Sequence, residues 1–175
     1  MIPFSLYETI NILERTPSML NDLLAGISDP WAFHNEGGNT WSPFDIVGHL
    51  IEGENNNWIP RIQIILSDQP DKRYVPFDRF SQLDGNKEKT MTGLLNEFTR
   101  LRKINLDLLR SFRITEGDLD KTGIHPEFGA VTLRQQLATW AAHDLSHLSQ
   151  ITRVMARQYR EAVGPWTRYL TIMGQ

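Results

Sequence analysis

The stretch WAAHDLSHLSQI, residues 140–151, sets His143 and His147 four residues apart in a chain with only five histidines. One helical turn separates them, so both imidazoles can reach a single cation. The spacing alone is not specific. A core histidine bonded to a carbonyl or a neighbouring side chain is the ordinary alternative. The stretch also lacks the glutamate directly after the first histidine that defines the zinc-protease helix.

Orientation decides how much the pair means. A helix turns about 100° per residue. Leu133, Leu137, Trp140, Leu148, Ile151, Val154 and Met155 then define an apolar stripe. His147 falls about 20° from Trp140 and His143 about 60° from it. Asp144 falls on the stripe too, while Arg134, Ser146, Arg153 and Arg157 fall on the face expected to meet solvent. Two imidazoles and a carboxylate on a buried stripe cost free energy unless their polar atoms are satisfied.

A third ligand would have to come from elsewhere. His49 lies in WSPFDIVGHLIEGENNNWIPR, where Phe44, Val47, Ile51, Glu54, Trp58 and Ile65 form the strongest stripe. His49 is off that stripe, on a flank with Ile46, Gly53 and Ile64, so periodicity by itself places it on a helix surface. His34 and His125 fall in loops, where exposure is the expectation, although His125 precedes Pro126 near the last long helix and could border a site. Glu54 is out of place on an apolar stripe. Pairing with Arg61 or a buried polar group is the expectation, ahead of a catalytic role. Asp144 either orients a ligand histidine or bridges to another helix.

The elements that must position these residues are helical. Ser5 with Glu8, Ser42-Pro43 with Asp45, and Thr132 are helix-start signals. They predict helices over residues 5–26, 42–66, 90–113 and 131–159, with a kink or break at Pro17. On the third, Met91, Leu94, Phe98, Leu101, Asn105, Leu108 and Phe112 mark one face. Residues 28–41, 67–89 and 114–130 read as loops, the second long enough for a crossover. Tyr74, Phe77, Phe80 and Phe128 in them either cover the bundle end or line a pocket. The expectation is one all-α domain over 1–175, an antiparallel four-helix bundle with no substantial sheet and an apolar tail at 164–175.

Composition narrows the function. With no cysteine, disulfides, thiolate nucleophiles and Cys-ligated metals are excluded, so any metal needs His or carboxylate ligands. A formal net charge of -3 gives no footprint for nucleic acid. Neither a signal peptide nor a membrane span is evident, and a cytoplasmic location is expected.

WSPFDIVGHLIEGENNNWIPRIQIIL, followed by HPEFGAVTLRQQLATWAAHDLSHLSQITRVMARQY, resembles the DinB-like superfamily across nearly the whole chain. The specific element is a histidine early in the second helix joined to the His-Asp-x-x-His-type pair of the last. The resemblance implies an up-down-down-up bundle with a divalent metal, zinc or nickel, near one end. It carries the ligand positions onto His49, His143 and His147, which should bring a ring nitrogen of His49 within about 4.5 Å of one of His143 or His147, given metal–nitrogen bonds of about 2.0–2.1 Å. Three ligands leave a coordination position open. Relatives include transferases that use low-molecular-weight thiols, so a metal-dependent thiol S-transferase with a small-molecule substrate is the leading expectation. A hydrolase using a metal-bound hydroxide is the alternative, and a non-catalytic bundle is the third. A homodimer packed through Trp166–Met173 is the expected assembly.

Overall fold

A computed structural model describes residues 2–78, 80, 82–86 and 88–174. Arg79, Ser81 and Lys87 of the long connection, with Met1 and Gln175, lie outside the described residues.

The side chain of Ser5 accepts the Glu8 N–H and opens α1, Leu6–Leu24. Asp29–Phe33 forms a short α2 within the expected loop. Ser42 and Asp45 cap each other reciprocally at the start of α3, Pro43–Asn56. The second predicted helix is in fact two, because α4 runs separately over Trp58–Leu66. The cause is Pro60, which has no N–H for the Asn56 carbonyl and crowds it, so the chain turns at Asn57. A one-turn α5 covers Gln82–Gly85, and Thr90 caps α6, Met91–Ser111. Thr132 and Gln135 form the capping box of α7, Leu133–Arg157. A short α8, Arg160–Val163, and 3-10 turns at Gly164–Arg168 and Thr171–Met173 complete the chain. Met173 is buried, whereas Trp166 and Tyr169 are exposed.

The long helices form a four-helix bundle. α1 packs on α6 and α7, and α3 packs on the same two, so the first and second long elements lie diagonally. The core has two apolar halves. Leu13, Trp58, Ile62, Leu106 and Trp140 belong to one, and Leu20, Leu50, Phe98 and Leu148 to the other. α1 and α7 therefore run from the first half to the second, and α3–α4 and α6 run the opposite way. That is the up-down-down-up order, and it requires the long link between α4 and α6.

A buried polar layer separates the halves, with one level contributed by every long helix. Arg102 of α6 donates to Glu54 Oε1 at 2.8 Å and to Asp144 Oδ2 and Oδ1 at 2.5 and 3.1 Å. Thr16 donates to Asp144 Oδ2 at 2.7 Å, Trp140 Nε1 to Glu54 Oε1 at 3.1 Å, and Asn105 to Glu54 Oε2 at 3.0 Å. Arg102 also explains why the break expected at Pro17 does not occur and α1 is continuous. Proline cannot donate to the Leu13 carbonyl four residues back. Arg102 Nη1 donates to that oxygen instead, at 2.8 Å.

Two antiparallel four-residue strands replace the end of the expected loop at 114–130 and the first two residues of the expected last helix: β1, Thr122–His125, and β2, Gly129–Thr132. The crossover chain joins their edge, with Tyr74 N–H bonding the Ile124 carbonyl and Ile124 N–H the Lys72 carbonyl. Gly123 is required there, because a Cβ would lie 2.4 Å from the Tyr74 ring. The hairpin and crossover together form one wall of a cavity over the bundle flank.

Candidate metal centre

α3 and α7 bring the three histidines together. His49 Nε2 is 3.2 Å from His143 Nε2, which is 3.1 Å from His147 Nε2. One donor atom from each residue falls within 4.8 Å of the others. Three nitrogens on a tetrahedral cation with bonds of about 2.0–2.1 Å lie about 3.3–3.4 Å apart, so the donor set fits one divalent ion. It fits better than hydrogen bonding does. A proton can bridge two Nε2 atoms, but three converging on one point leave lone pairs facing each other.

The expectation for His49 is corrected: it is buried, at 5% exposure. Ten of the fourteen α3 residues, Pro43 and Glu54 among them, are buried. The helix packs on α6 on one side and α7 on another, so a single-stripe reading fails. Trp41 packs against His49, and Trp58 meets His143 edge-on.

The local electrostatics disfavour a proton on His143 and on His147. Burial pushes His143 down, and His147, His49 and Arg102 add to the effect, taking it to about 3. Burial also lowers His147, partly offset by its Gln150 hydrogen bond and by Asp144. Gln150 Oε1 lies 2.8 Å from His147 Nδ1, which assigns the proton to Nδ1 and leaves Nε2 as the donor toward a metal. A testable consequence follows for metal-free protein. Unfolded, His143 returns to its ordinary value of 6.5. Between about 6.5 and about 3 the unfolded chain therefore binds a proton that the native site refuses, so stability falls as pH drops through that window. Urea denaturation near pH 7 and near pH 4 should show a shallower loss in His143→Gln than in the parent.

Glu54 and Asp144 do not line the cavity. Both carboxylates turn into the polar layer, where each is fully buried against Arg102. Glu54 thus finds its partner in Arg102 rather than in Arg61. Asp144 bridges to α6 and α1. Arg102 escaped the periodicity argument because the face marked by Leu94, Phe98 and Asn105 continues through it, and a lone arginine there reads as solvated. Burial would lower its pKa, but Asp144 and Glu54 outweigh burial and raise it.

The triad opens onto a cavity of about 450 Å³ with Trp41, Trp58, Phe77, Phe128 and Val131 among its apolar lining. Of the loop aromatics, Phe77 and Phe128 line it, Phe80 meets Trp41 edge-on, and Tyr74 is buried behind it. His125 lines the cavity too, half-buried and stacked on Phe128 at 4.6 Å. His34 lies apart from it, at the end of α2.

A bundle of this topology carrying a histidine cluster on one flank defines a metal-binding DinB-type protein. The model of the DinB superfamily matches residues 12–151, and the chain belongs to that superfamily. It is 25% identical over 154 residues, 86% of either chain, to a protein of Oceanobacillus iheyensis named "Putative metal-dependent hydrolase". YfiT from Bacillus subtilis, described as a probable metal-dependent hydrolase with an unusual four-helix bundle topology, superposes with a TM-score of 0.74 at 22% identity over 87% of each chain. The four-helix bundle protein TT2238 gives 0.52 at 18% identity, over 85% of this chain and 98% of its own. Among the described residues no helix is long and apolar enough to cross a membrane.

Proposed function

We propose that the chain is a metal-dependent hydrolase in which His49, His143 and His147 hold one divalent ion, zinc or nickel. The observation that carries this reading is the convergence of three Nε2 atoms beside a cavity with an apolar lining. Three protein ligands suit a catalytic ion better than a structural one, which takes four. Bound there, the ion supplies Lewis acidity, polarising a substrate carbonyl and acidifying a coordinated water.

The chain's own residues supply the rest. The Trp41, Trp58 and Phe77 side chains hold an apolar substrate body and keep bulk water out. His125 Nδ1 accepts the backbone N–H groups of Glu127 and Phe128 at 3.1 and 3.3 Å, which leaves the proton on Nε2. It is a donor placed for a substrate oxygen in the cavity. Glu54 and Asp144 act as positioning groups that fix α3 and α7 beneath the triad. Thiol transfer is the second reading. Among the described residues no carboxylate lines the cavity, and the chain has no cysteine, so a thiol brought by a cosubstrate would meet no competing carboxylate or thiolate there. Hydrolysis ranks first because the Oceanobacillus relative is named for it.

The test is turnover of activated esters and amides by protein loaded with zinc or nickel. Hydrolysis without added thiol, lost on chelation and regained on metal return, is the expected result. Turnover only with an added thiol and an electrophile would replace hydrolysis by transfer.

A further inference from the structure

We infer that the cavity takes a substrate bearing a carboxylate, held by the guanidinium of Arg61; the inference deepens the hydrolase reading and rests on it. Arg61 projects from α4 and lines the same cavity as the three histidines. It is only 9% exposed. Among the described residues no carboxylate pairs with it and no hydrogen bond uses its side chain. Its one close companion is the Tyr74 ring, 4.9 Å from the guanidinium carbon.

A buried cation without a counter-ion is costly, and proteins ordinarily pair such groups. This chain does so elsewhere: Arg102 faces two carboxylates, and Arg153 and Arg157 share Glu36. The exception opens into the candidate active site. Burial lowers the His125 pKa and Arg61 lowers it further, which places the two groups within electrostatic reach. Burial lowers Arg61 as well, although only partly, since the Tyr74 hydroxyl has the opposite effect.

Gln136 adds a second donor. It is 6% exposed, lines the cavity, and its Nε2 has no hydrogen-bond partner. A planar carboxylate suits one forked guanidinium, with an amide donor on the same cavity wall. A phosphate monoester, with more charge and three terminal oxygens, is the competing anion that the test must separate from a carboxylate. Asn57 Oδ1, also buried on the cavity wall and without a partner, gives the substrate one acceptor to satisfy. The substrate class is therefore an ester or amide with an apolar body and a free carboxylate.

Metal-free protein isolates this contact from metal chemistry. Binding of 3-phenylpropionate, its neutral amide and phenyl phosphate can be read by calorimetry and by Trp41 and Trp58 fluorescence. The carboxylate should bind at least about tenfold more tightly than the amide, the worth of a charge-assisted hydrogen bond. That preference should shrink to within about twofold in Arg61→Met and stay intermediate in Arg61→Lys, which keeps the charge without the fork. Circular dichroism and cobalt titration confirm that each variant is folded and still binds metal. Equal binding of carboxylate and amide, no binding of either, or a preference that survives Arg61→Met overturns the inference. Tighter binding of phenyl phosphate overturns the carboxylate assignment. Hydrolysis by the loaded enzyme is scored separately, so loss of one reading leaves the other standing.

Discussion

His147→Ala is expected to weaken metal binding by more than about a hundredfold and to abolish any metal-dependent turnover. Losing only a group that orients a ligand typically costs about ten- to a hundredfold in affinity, and losing the ligand itself exceeds that. The fold should survive, because His147 is only partly buried and Trp140 and Ile151 on the same helix remain fully enclosed. The measurement is cobalt or zinc titration alongside far-UV circular dichroism. A variant that keeps parental affinity while remaining folded would exclude His147 as a ligand. A helix signal unchanged by the substitution, together with metal loss, separates ligation from stability. His143→Ala should behave alike toward metal, but with a bonus in metal-free stability at acid pH, since the refused proton disappears with the ring.

Arg102→Met should be the most damaging single substitution away from the metal. Truncating one partner of a buried ion pair typically costs about 3–5 kcal/mol, since the remaining charges stay buried. Here two carboxylates, the Leu13 carbonyl and the ordered contacts of Glu54 with Trp140 and Asn105 are all left around an apolar side chain. For a chain of this length the melting temperature should fall by roughly 10 °C or more. Adding Glu54→Gln and Asp144→Asn to Arg102→Met should restore much of the loss, because the trapped charge goes with them. Thermal and urea unfolding of the single and triple variants decide it. A single variant within about 1 kcal/mol of the parent would show that the layer contributes little.

Much of this was legible in the residues. The caps at Ser5, Ser42 and Thr132 and the stripe through Trp140 located the long helices, because capping and burial are local statements. The His143–His147 pair and its facing were legible for the same reason. His49 was not, since a helix buried on several sides has no single stripe, and only the family resemblance singled it out. The break at Asn57 was available from Pro60 but hidden within a strong apolar run. Arg102, Arg61 and the continuity of α1 through Pro17 depend on partners tens of residues away, which no window of sequence contains. The hairpin at residues 122–132 escaped because its strands are four residues long and only one of their eight residues is buried.

The splice at Pro17 also bears on the order in which the molecule is assembled. An isolated α1 cannot finish its own hydrogen-bond ladder: the Leu13 carbonyl waits for a donor that sits 89 residues later in the chain. The halves of α1 before and after the proline therefore join only when α6 docks, and α6 in turn brings a charge that needs carboxylates from α3 and α7. Local helix formation, fast and cheap elsewhere in such bundles, is here tied to a contact of long sequence separation. Completion of α1 therefore waits on a helix that lies far later in the chain.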